Sequence, residues 1–272
     1  MTRVSPTDAR EPSLQEARTC RKGLLIINAD DWGLDRITTD RILDCARRQR
    51  LSSVSAMVFM ADSERAAVIG RQEGINAGLH LNLSAPFSAT NCSADLSERH
   101  RKVIAVLRRH RYSRALLHPG IRRHLEYVVA AQLEEFQRLY GAPPAQIDGH
   151  HHMHLCPDVL LARLLPQGTR VRRSFSFSRN EKGLFNRFYR SLVDRILARR
   201  HVVTDYFFAL APLEPSTRLE HILTLATTFT VELETHPALL EEYNLLLSDR
   251  MLGLLENVCL ALPERHPDRT KV

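Results

Sequence analysis

Short apolar segments alternate along the chain with longer segments in which apolar residues recur every three or four positions. The apolar segments 24–28, 54–60 and 75–83 are typical of buried β-strands. The segments between them have helical periodicity, and Asp62 is the expected N-cap of a helix over residues 62–72. This alternation predicts β-α-β units and a parallel sheet.

The alternation stops over residues 84–120 and then resumes. We interpret residues 84–120, which include a basic helix at 99–111, as an insertion. Further helices are predicted over residues 121–140, after Pro157, and over residues 184–200, 217–226 and 238–257. Further strands are predicted over residues 146–150, 169–172, 202–208 and 229–234. Six or seven strand–helix units without a repeat or a Gly/Ser linker favour one α/β domain with a barrel-like (β/α) fold, an incomplete or distorted TIM-type barrel.

The composition is that of a globular protein. Apolar residues make up 44% of the 272 residues and charged residues 25%, which excludes wholesale disorder, and no apolar stretch approaches the roughly 18 residues that span a bilayer. Residues 1–22 are polar and lack the apolar core of a secretory signal. We therefore expect a disordered leader at 1–22, a domain at 23–260 and a flexible tail at 261–272. Five scattered cysteines without a C-x-x-C pair favour reduced thiols and a cytoplasmic location.

Polar residues are concentrated where the predicted strands end. Asp30 and Asp31 directly follow the first strand, and two adjacent carboxylates repel each other unless a cation neutralises them. A divalent ion bound by one would leave the other available as a base, whereas an Asp-rich turn that caps the next helix is an equally weighted alternative. His80, among leucines, is either a metal ligand or a hydrogen-bonded core histidine, and for a single histidine the core interpretation is the commoner one.

Histidines are densest after the strand predicted at 146–150. Four of residues 150–154 are histidines: His150, His151, His152 and His154. Buried imidazoles without partners are destabilising, and a divalent metal would offset that cost. On an extended chain, alternate histidines of this run would point the same way. The residues that are not ligands are expected to bind substrate or to support the ligands.

Together these groups predict a mononuclear metal hydrolase with an open coordination position. A metal-activated water would attack an acyl carbon while Asp30 takes its proton. His236, which follows the last predicted strand, would protonate the leaving nitrogen; its structural alternative is a turn residue before Pro237.

Three motifs resemble those of the YdjC-like carbohydrate deacetylases. They are Leu-Ile-Ile-Asn-Ala-Asp-Asp-Trp-Gly at 25–33, Gly-Leu-His-Leu-Asn-Leu at 78–83 and Ile-Asp-Gly-His-His-His-Met-His at 147–154. Their order and spacing resemble the family over about residues 24–240. The resemblance implies a barrel-like α/β deacetylase fold and metal-dependent removal of acetyl groups from N-acetylated sugars.

The resemblance also implies roles for individual residues. Asp31, His80 and His150 would hold the metal. Asp30 would be the catalytic base, and His236 the general acid or oxyanion partner. Substrate contacts are expected from Trp32, His152, His154 and Arg172. The cofactor implied is one divalent ion, Mg²⁺ or Zn²⁺: the family resemblance favours magnesium, and the softness of two imidazoles favours zinc.

The sequence departs from the family pattern at three places. Trp32 stands where Phe is usual, and Thr235 where Cys is common. Residues 84–87, Ser-Ala-Pro-Phe, replace the family's Thr-x-Gly-x-Pro. Because that region helps to shape the sugar pocket, the substrate is left open among an amino-sugar, an oligosaccharide and a lipid-linked sugar.

The net charge of +7 is concentrated in the segments 99–114 and 187–200. Solvated helix faces are the commonest origin of such segments. Nucleic-acid binding is the rival class of function, but there is no recognition motif and no interleaving of aromatic with basic residues. A third explanation is an anionic or lipid-linked sugar, or peripheral contact of segment 184–200 with the inner membrane surface. The apolar residues of that segment recur at helical spacing and form a stripe, which would also suit packing on the barrel. Metal-dependent phosphoester hydrolysis is the alternative chemistry for the same ligands.

Overall fold

A computed structural model describes residues 23–110, 112–177 and 183–261. The leader predicted at 1–22 lies outside the described residues, as does the predicted tail beyond residue 261. Among the described residues, no helix combines the length and apolar character needed to cross a membrane.

The described strands form one parallel sheet. They are β1 (Leu24–Trp32), β2 (Ser53–Ala56), β3 (Ala77–Leu81), β4 (Gln146–Gly149), β5 (Arg170–Val171), β6 (Tyr206–Ala209) and β7 (Thr230–Thr235). Their order in the sheet is β5-β4-β3-β2-β1-β7-β6. The two edges are also bonded, because Val171 N donates to Val202 O at 2.9 Å and Ser176 N donates to Phe207 O at 2.8 Å. The sheet is therefore a curved, incomplete barrel of seven strands, which confirms the predicted fold class.

Helices connect the strands and follow the predicted order. They are α1 (Arg36–Arg47), α2 (Ser63–Glu73), α3 (Ala94–Leu107), α4 (Arg122–Tyr140), α5 (Pro157–Leu161), α6 (Leu184–Ala198), α7 (Ser216–Ala226), α8 (Leu240–Leu247) and α9 (Asp249–Leu255). The single helix predicted over 238–257 is wrong, because the chain breaks at Ser248, whose Oγ accepts the Met251 N–H at 3.2 Å and starts α9. Asp62 precedes α2 as predicted, but its carboxylate binds Arg65 and no helix N–H.

Alternate residues of each strand face opposite sides of the sheet. Leu79, Ile147 and Leu233 belong to the apolar core between sheet and helices, where each buried side chain contributes about 1.5–3 kcal/mol. Polar and charged side chains occupy most of the intervening positions, and these six are buried: Asn28, Asp30, His80, Asp148, Glu232 and Glu234. The interior of the barrel is therefore polar, and this is where the predicted site lies.

Residues 84–120 support the loop that follows β3. The helix α3 of this segment packs against α4, which follows it. His100 of α3 and Gln132 of α4 both bond Asn82 O, each at 2.9 Å. Arg108 adds a bond of 3.1 Å to Ser84 O. The segment between β3 and α4 thus fixes a loop at the mouth of the barrel.

Candidate metal and catalytic site

The carboxyl ends of β1, β3 and β4 bring three predicted metal ligands together. Asp31 Oδ1 lies 3.4 Å from His80 Nε2 and 3.1 Å from His150 Nδ1. One ligand atom from each of these residues lies within 4.8 Å of the other two. Two imidazole nitrogens and one carboxylate oxygen facing a common point are a donor set suited to a divalent metal with an open position.

A tight turn aims Asp31 at the two histidines. Its φ is 68°, in the left-handed region that aspartate adopts more readily than most residues. Gly33, with a φ of 88°, completes the turn, and a Cβ there would lie 3.2 Å from Met57 O. Such backbone strain costs on the order of 1–3 kcal/mol and occurs most often at functional sites.

Asp148 orients His80 for this role. The two residues are neighbours in the β3–β4 register, and His80 Nδ1 lies 2.7 Å from Asp148 Oδ1. Burial would lower the pKa of His80, but the carboxylates of Asp30 and Asp148 raise it well above its ordinary value. With Nδ1 held by Asp148, Nε2 faces Asp31, which is the arrangement of a histidine that binds metal with a carboxylate behind it.

Arg172 occupies the centre of the interior and pairs with four carboxylates. Its guanidinium binds both oxygens of Asp30, at 2.6 and 2.8 Å. It also contacts Asp148 at 2.7 Å, Glu232 at 2.7 Å and Glu234 at 3.0 Å. Burial alone would raise the pKa of Asp30, but Arg172 and His80 together hold it well below its usual range. Asp30 is therefore ionised at neutral pH.

The interior has more acidic than basic groups, and this excess favours a bound cation. Five buried carboxylates line it, from Asp30, Asp31, Asp148, Glu232 and Glu234. Burial raises the pKa of both glutamates. Arg172 neutralises part of this charge but does not reach Asp31 within ion-pair distance in the described part of the chain. A divalent ion at Asp31 fits both the charge and the donor atoms.

His236 lies on the other side of Asp30. Its Nε2 is 4.0 Å from Asp30 Oδ2 and 3.9 Å from Glu234 Oε1, and the side chain is partly exposed. Glu242 Oε2 fixes the backbone here by accepting the Thr235 hydroxyl and the His236 N–H, each at 2.8 Å. Asp30 is thus placed between the candidate metal ligands and a histidine that solvent can reach.

The histidine-rich segment is not extended, so the predicted alternation of its side chains is wrong. It forms a kinked 3₁₀ segment, His150–Leu155, in which His151 and His152 have φ values of 54° and 57°. The kink gives the alternate imidazoles different partners. His150 meets Asp31, His152 lies 3.7 Å from Glu234, and His154 points inwards to Arg172 O at 3.0 Å.

Three of the predicted substrate contacts do not agree with the burial of their side chains. Trp32, His154 and Arg172 have at most 1% of their surface exposed, which leaves almost no surface for contact with a sugar. Trp32 fills the space beneath α2, beside Gly70, and Arg172 holds carboxylates in place. His152 is partly exposed and packs edge-on against Phe175, with ring centroids 4.6 Å apart.

Sequence patterns missed Asp148, Glu232 and Glu234. Asp148 lies inside the Ile-Asp-Gly-His motif, directly before the candidate ligand His150. Glu232 and Glu234 alternate with Val231 and Leu233 in β7. Acidic residues at alternate positions of an otherwise apolar strand are a pattern that could have identified the inward-facing pair.

A sequence model of the family described as "YdjC-like protein" matches residues 24–257. The chain belongs to this family. Curated relatives of this YdjC-like protein include the chitooligosaccharide deacetylases of Serratia marcescens, 32% identical, and Yersinia pestis (strain Pestoides F), 30% identical, each over 139 residues. The aligned region covers 50% of this chain and 52% of each relative, so the chain spans about half the length of the curated relatives it matches.

A solved structure supports the fold of this YdjC-like protein. It is that of a candidate cellobiose-phosphate cleavage protein from Enterococcus faecalis V583, with a TM-score of 0.62 and 20% identity. The superposition covers 89% of this chain and 98% of the other.

Proposed function

We propose that this YdjC-like protein is a metal-dependent hydrolase that removes the acetyl group from an N-acetylated sugar. The observation that carries the proposal is the convergence of Asp31, His80 and His150 beside an ionised Asp30. Relatives named chitooligosaccharide deacetylases support an oligosaccharide of N-acetylated amino-sugars as the first substrate class to test.

Asp31, His80 and His150 would hold the metal, with His80 oriented by Asp148. When bound, the ion supplies Lewis-acid chemistry, which polarises the acetyl oxygen and lowers the pKa of an attacking water. Two imidazoles and one carboxylate favour zinc or another first-row ion over magnesium, because Mg²⁺ prefers oxygen ligands.

Asp30 and His236 would move the protons. Asp30 is ionised and can accept a proton from the attacking water, while Arg172 and Asn28 hold its carboxylate in one orientation. His236, at the exposed side of Asp30, can donate a proton to the leaving nitrogen of the sugar. Buried Trp32, His154 and Arg172 would then position the catalytic groups and would not touch the sugar.

The test is acetate release from a panel of N-acetylated monosaccharides, oligosaccharides and lipid-linked sugars. The protein is first stripped with a chelator, and Zn²⁺, Co²⁺, Mn²⁺ or Mg²⁺ is then added back. We expect Asp30→Asn to lower kcat by about 10²–10⁴-fold, because it removes the proton acceptor, and to retain one metal ion per chain by elemental analysis. Asp40→Asn, at an exposed position of α1, is the control.

Two results would overturn the proposal. One is an Asp30→Asn variant that releases acetate at the rate of the unsubstituted protein. The other is release of phosphate from phosphoesters with no acetate from any member of the panel.

A further inference from the structure

α6 presents an apolar face to solvent. Leu184, Phe185, Phe188 and Leu192 are 81%, 84%, 70% and 45% exposed. Successive residues of an α-helix are about 100° apart, so these four lie within one sector of about 100°. The opposite sector carries Val193 and Leu197, which are buried in the core. The first half of α6 therefore does not pack its apolar stripe on the barrel.

The four side chains, here called the α6 patch, are large for a surface without a partner. They expose roughly 500 Å² of apolar area, judged from the size of Phe and Leu side chains. Exposed apolar patches of this size often mark an interaction site. The segments 1–22, 178–182 and 262–272, which lie outside the described residues, are mainly polar in sequence and offer little apolar surface to cover the patch.

The same sector of the helix becomes basic beyond the patch. Arg195 and Arg199 follow Leu192 at intervals of three and four residues, and both are exposed. Neither forms an ion pair with another residue in the described ranges of the chain. Asp194, on the other side of α6, is paired with Arg173 at 2.7 Å and does not neutralise either arginine.

Arg190, on the side of α6 opposite the patch, connects the helix to the mouth of the barrel. Phe177 stacks under the Arg190 guanidinium, with 4.8 Å between the guanidinium carbon and the ring centroid. Phe177 neighbours Phe175 at 6.2 Å, and Phe175 packs on His152 at 4.6 Å. A continuous row of aromatic contacts therefore links α6 to the residues around Glu234.

We propose that α6 docks this protein on an anionic lipid surface, with the α6 patch among the upper acyl chains and Arg195 and Arg199 on the phosphates. A helix with one apolar face flanked by arginines is the pattern of an interfacial helix. The net charge of +7 favours approach to such a surface. A second copy of the chain fits less well, because two chains that each carry a net charge of +7 repel each other.

The experiment is flotation of the whole protein with lipid vesicles. One set contains phosphatidylcholine alone, and the other about 30 mol% phosphatidylglycerol, which supplies the anionic surface. We expect flotation with the anionic vesicles only, and its loss when the salt is raised to about 1 M, where charge attraction is screened. Phe185→Ser with Phe188→Ser should lower the bound fraction at least about fivefold. Ile37→Ser with Leu161→Ser, at exposed positions of α1 and α5, should leave it unchanged.

Absence of flotation, or equal flotation of the Phe185→Ser, Phe188→Ser variant, overturns the proposal. So does a dimer in sedimentation that this variant abolishes, because a second copy would then be the occupant. Acetate release from a soluble N-acetylated oligosaccharide should be the same in this variant and the unsubstituted protein. That assay separates failure of docking from failure of the proposed chemistry.

Discussion

Arg172 pairs with four inward-facing carboxylates, so its replacement would leave all four without this ion pair. We expect Arg172→Met to lower the free energy of unfolding by about 3–5 kcal/mol, the usual cost of leaving buried charges unpaired. Urea unfolding at neutral pH measures this. Arg138→Met removes exposed ion pairs to Glu64 and Glu135 and should cost less than about 1 kcal/mol. Similar losses in the two variants would contradict the central role of Arg172.

At the scale of single residues, local patterns predicted the candidate ligands but not their supports. Asp30, Asp31, His80 and His150 each stand at a strand end beside apolar residues, so the sequence alone points to them. Arg172 was predicted to touch substrate, yet its partners Glu232, Glu234 and Asp30 lie 60, 62 and 142 positions away. A one-dimensional pattern does not record contacts of that range. The burial of Arg172 among acids follows only from the curvature of the sheet, which brings β1, β4 and β7 around it.

At the scale of elements, the end of α1 offers a test of backbone strain. Gln49 N donates to Ala46 O and Arg50 N to Cys45 O, the bonding of a Schellman motif, with Gln49 at a φ of 58° where glycine is usual. Gln49→Gly should raise the free energy of unfolding by up to about 1 kcal/mol, because glycine adopts this conformation without strain. Gln49→Val should lower it. Denaturant unfolding compares the three proteins, and a Gly variant less stable than the Val variant would refute the argument.

The contact between α3 and the loop after β3 should make stability depend on pH. Burial lowers the pKa of His100 to about 4, while its ordinary value in an unfolded chain is about 6.5. Since the unfolded chain binds the proton more readily, stability should fall as the pH drops from about 6.5 to about 4, by on the order of 2–3 kcal/mol from this group.

Replacing His100 tests that dependence. In His100→Phe the ring can still stack on Phe87, and Gln132 still bonds Asn82 O. We expect a shallower loss of stability between pH 6.5 and 4 than in the unsubstituted protein, by urea unfolding at each pH. His221→Phe, at an exposed position of α7, should keep the original slope. If both variants keep the pH dependence of the unsubstituted protein, His100 is not its origin.

Elements with a regular period were predictable, and those that depend on unusual dihedral angles were not. The alternation of strands and helices is confirmed from β1 to β7, because the helices bury one face at a fixed period and the strands, buried on both faces, are short apolar segments. The 3₁₀ segment after β4 was missed, since nothing in a run of histidines indicates positive φ at His151 and His152. The break at Ser248 was missed because a serine cap within a continuing apolar pattern is a weak boundary.

At the scale of the whole molecule, a metal would connect three separate strands. Ligands from β1, β3 and the segment after β4 would be tied together, so the ion should bind the folded chain far better than the unfolded one. At a concentration about 100-fold above its Kd, such an ion adds about 2.7 kcal/mol. We expect the Tm of chelator-treated protein to rise by about 5 °C or more on adding the ion.

Variants decide whether that rise comes from the candidate site. Asp31→Asn removes the carboxylate of the candidate ligand set and should abolish the increase in Tm, as followed by differential scanning calorimetry. Asp40→Asn should show the full increase. A persistent increase in the Asp31→Asn protein would place the ion elsewhere.

The charged interior also limits how the barrel can be divided. A fragment that ends before β5 contains Asp30 and Asp148 without Arg172, and the complementary fragment contains Arg172, Glu232 and Glu234 without those two aspartates. The first fragment would have to bury unmatched charge, which costs several kcal/mol, and the second would lose two of the four partners of Arg172. Neither half is expected to fold alone, and a split version of the protein should regain its structure only when both halves reassociate around the guanidinium. The chain is therefore expected to fold only as a whole, because Arg172 pairs with carboxylates from both parts of it.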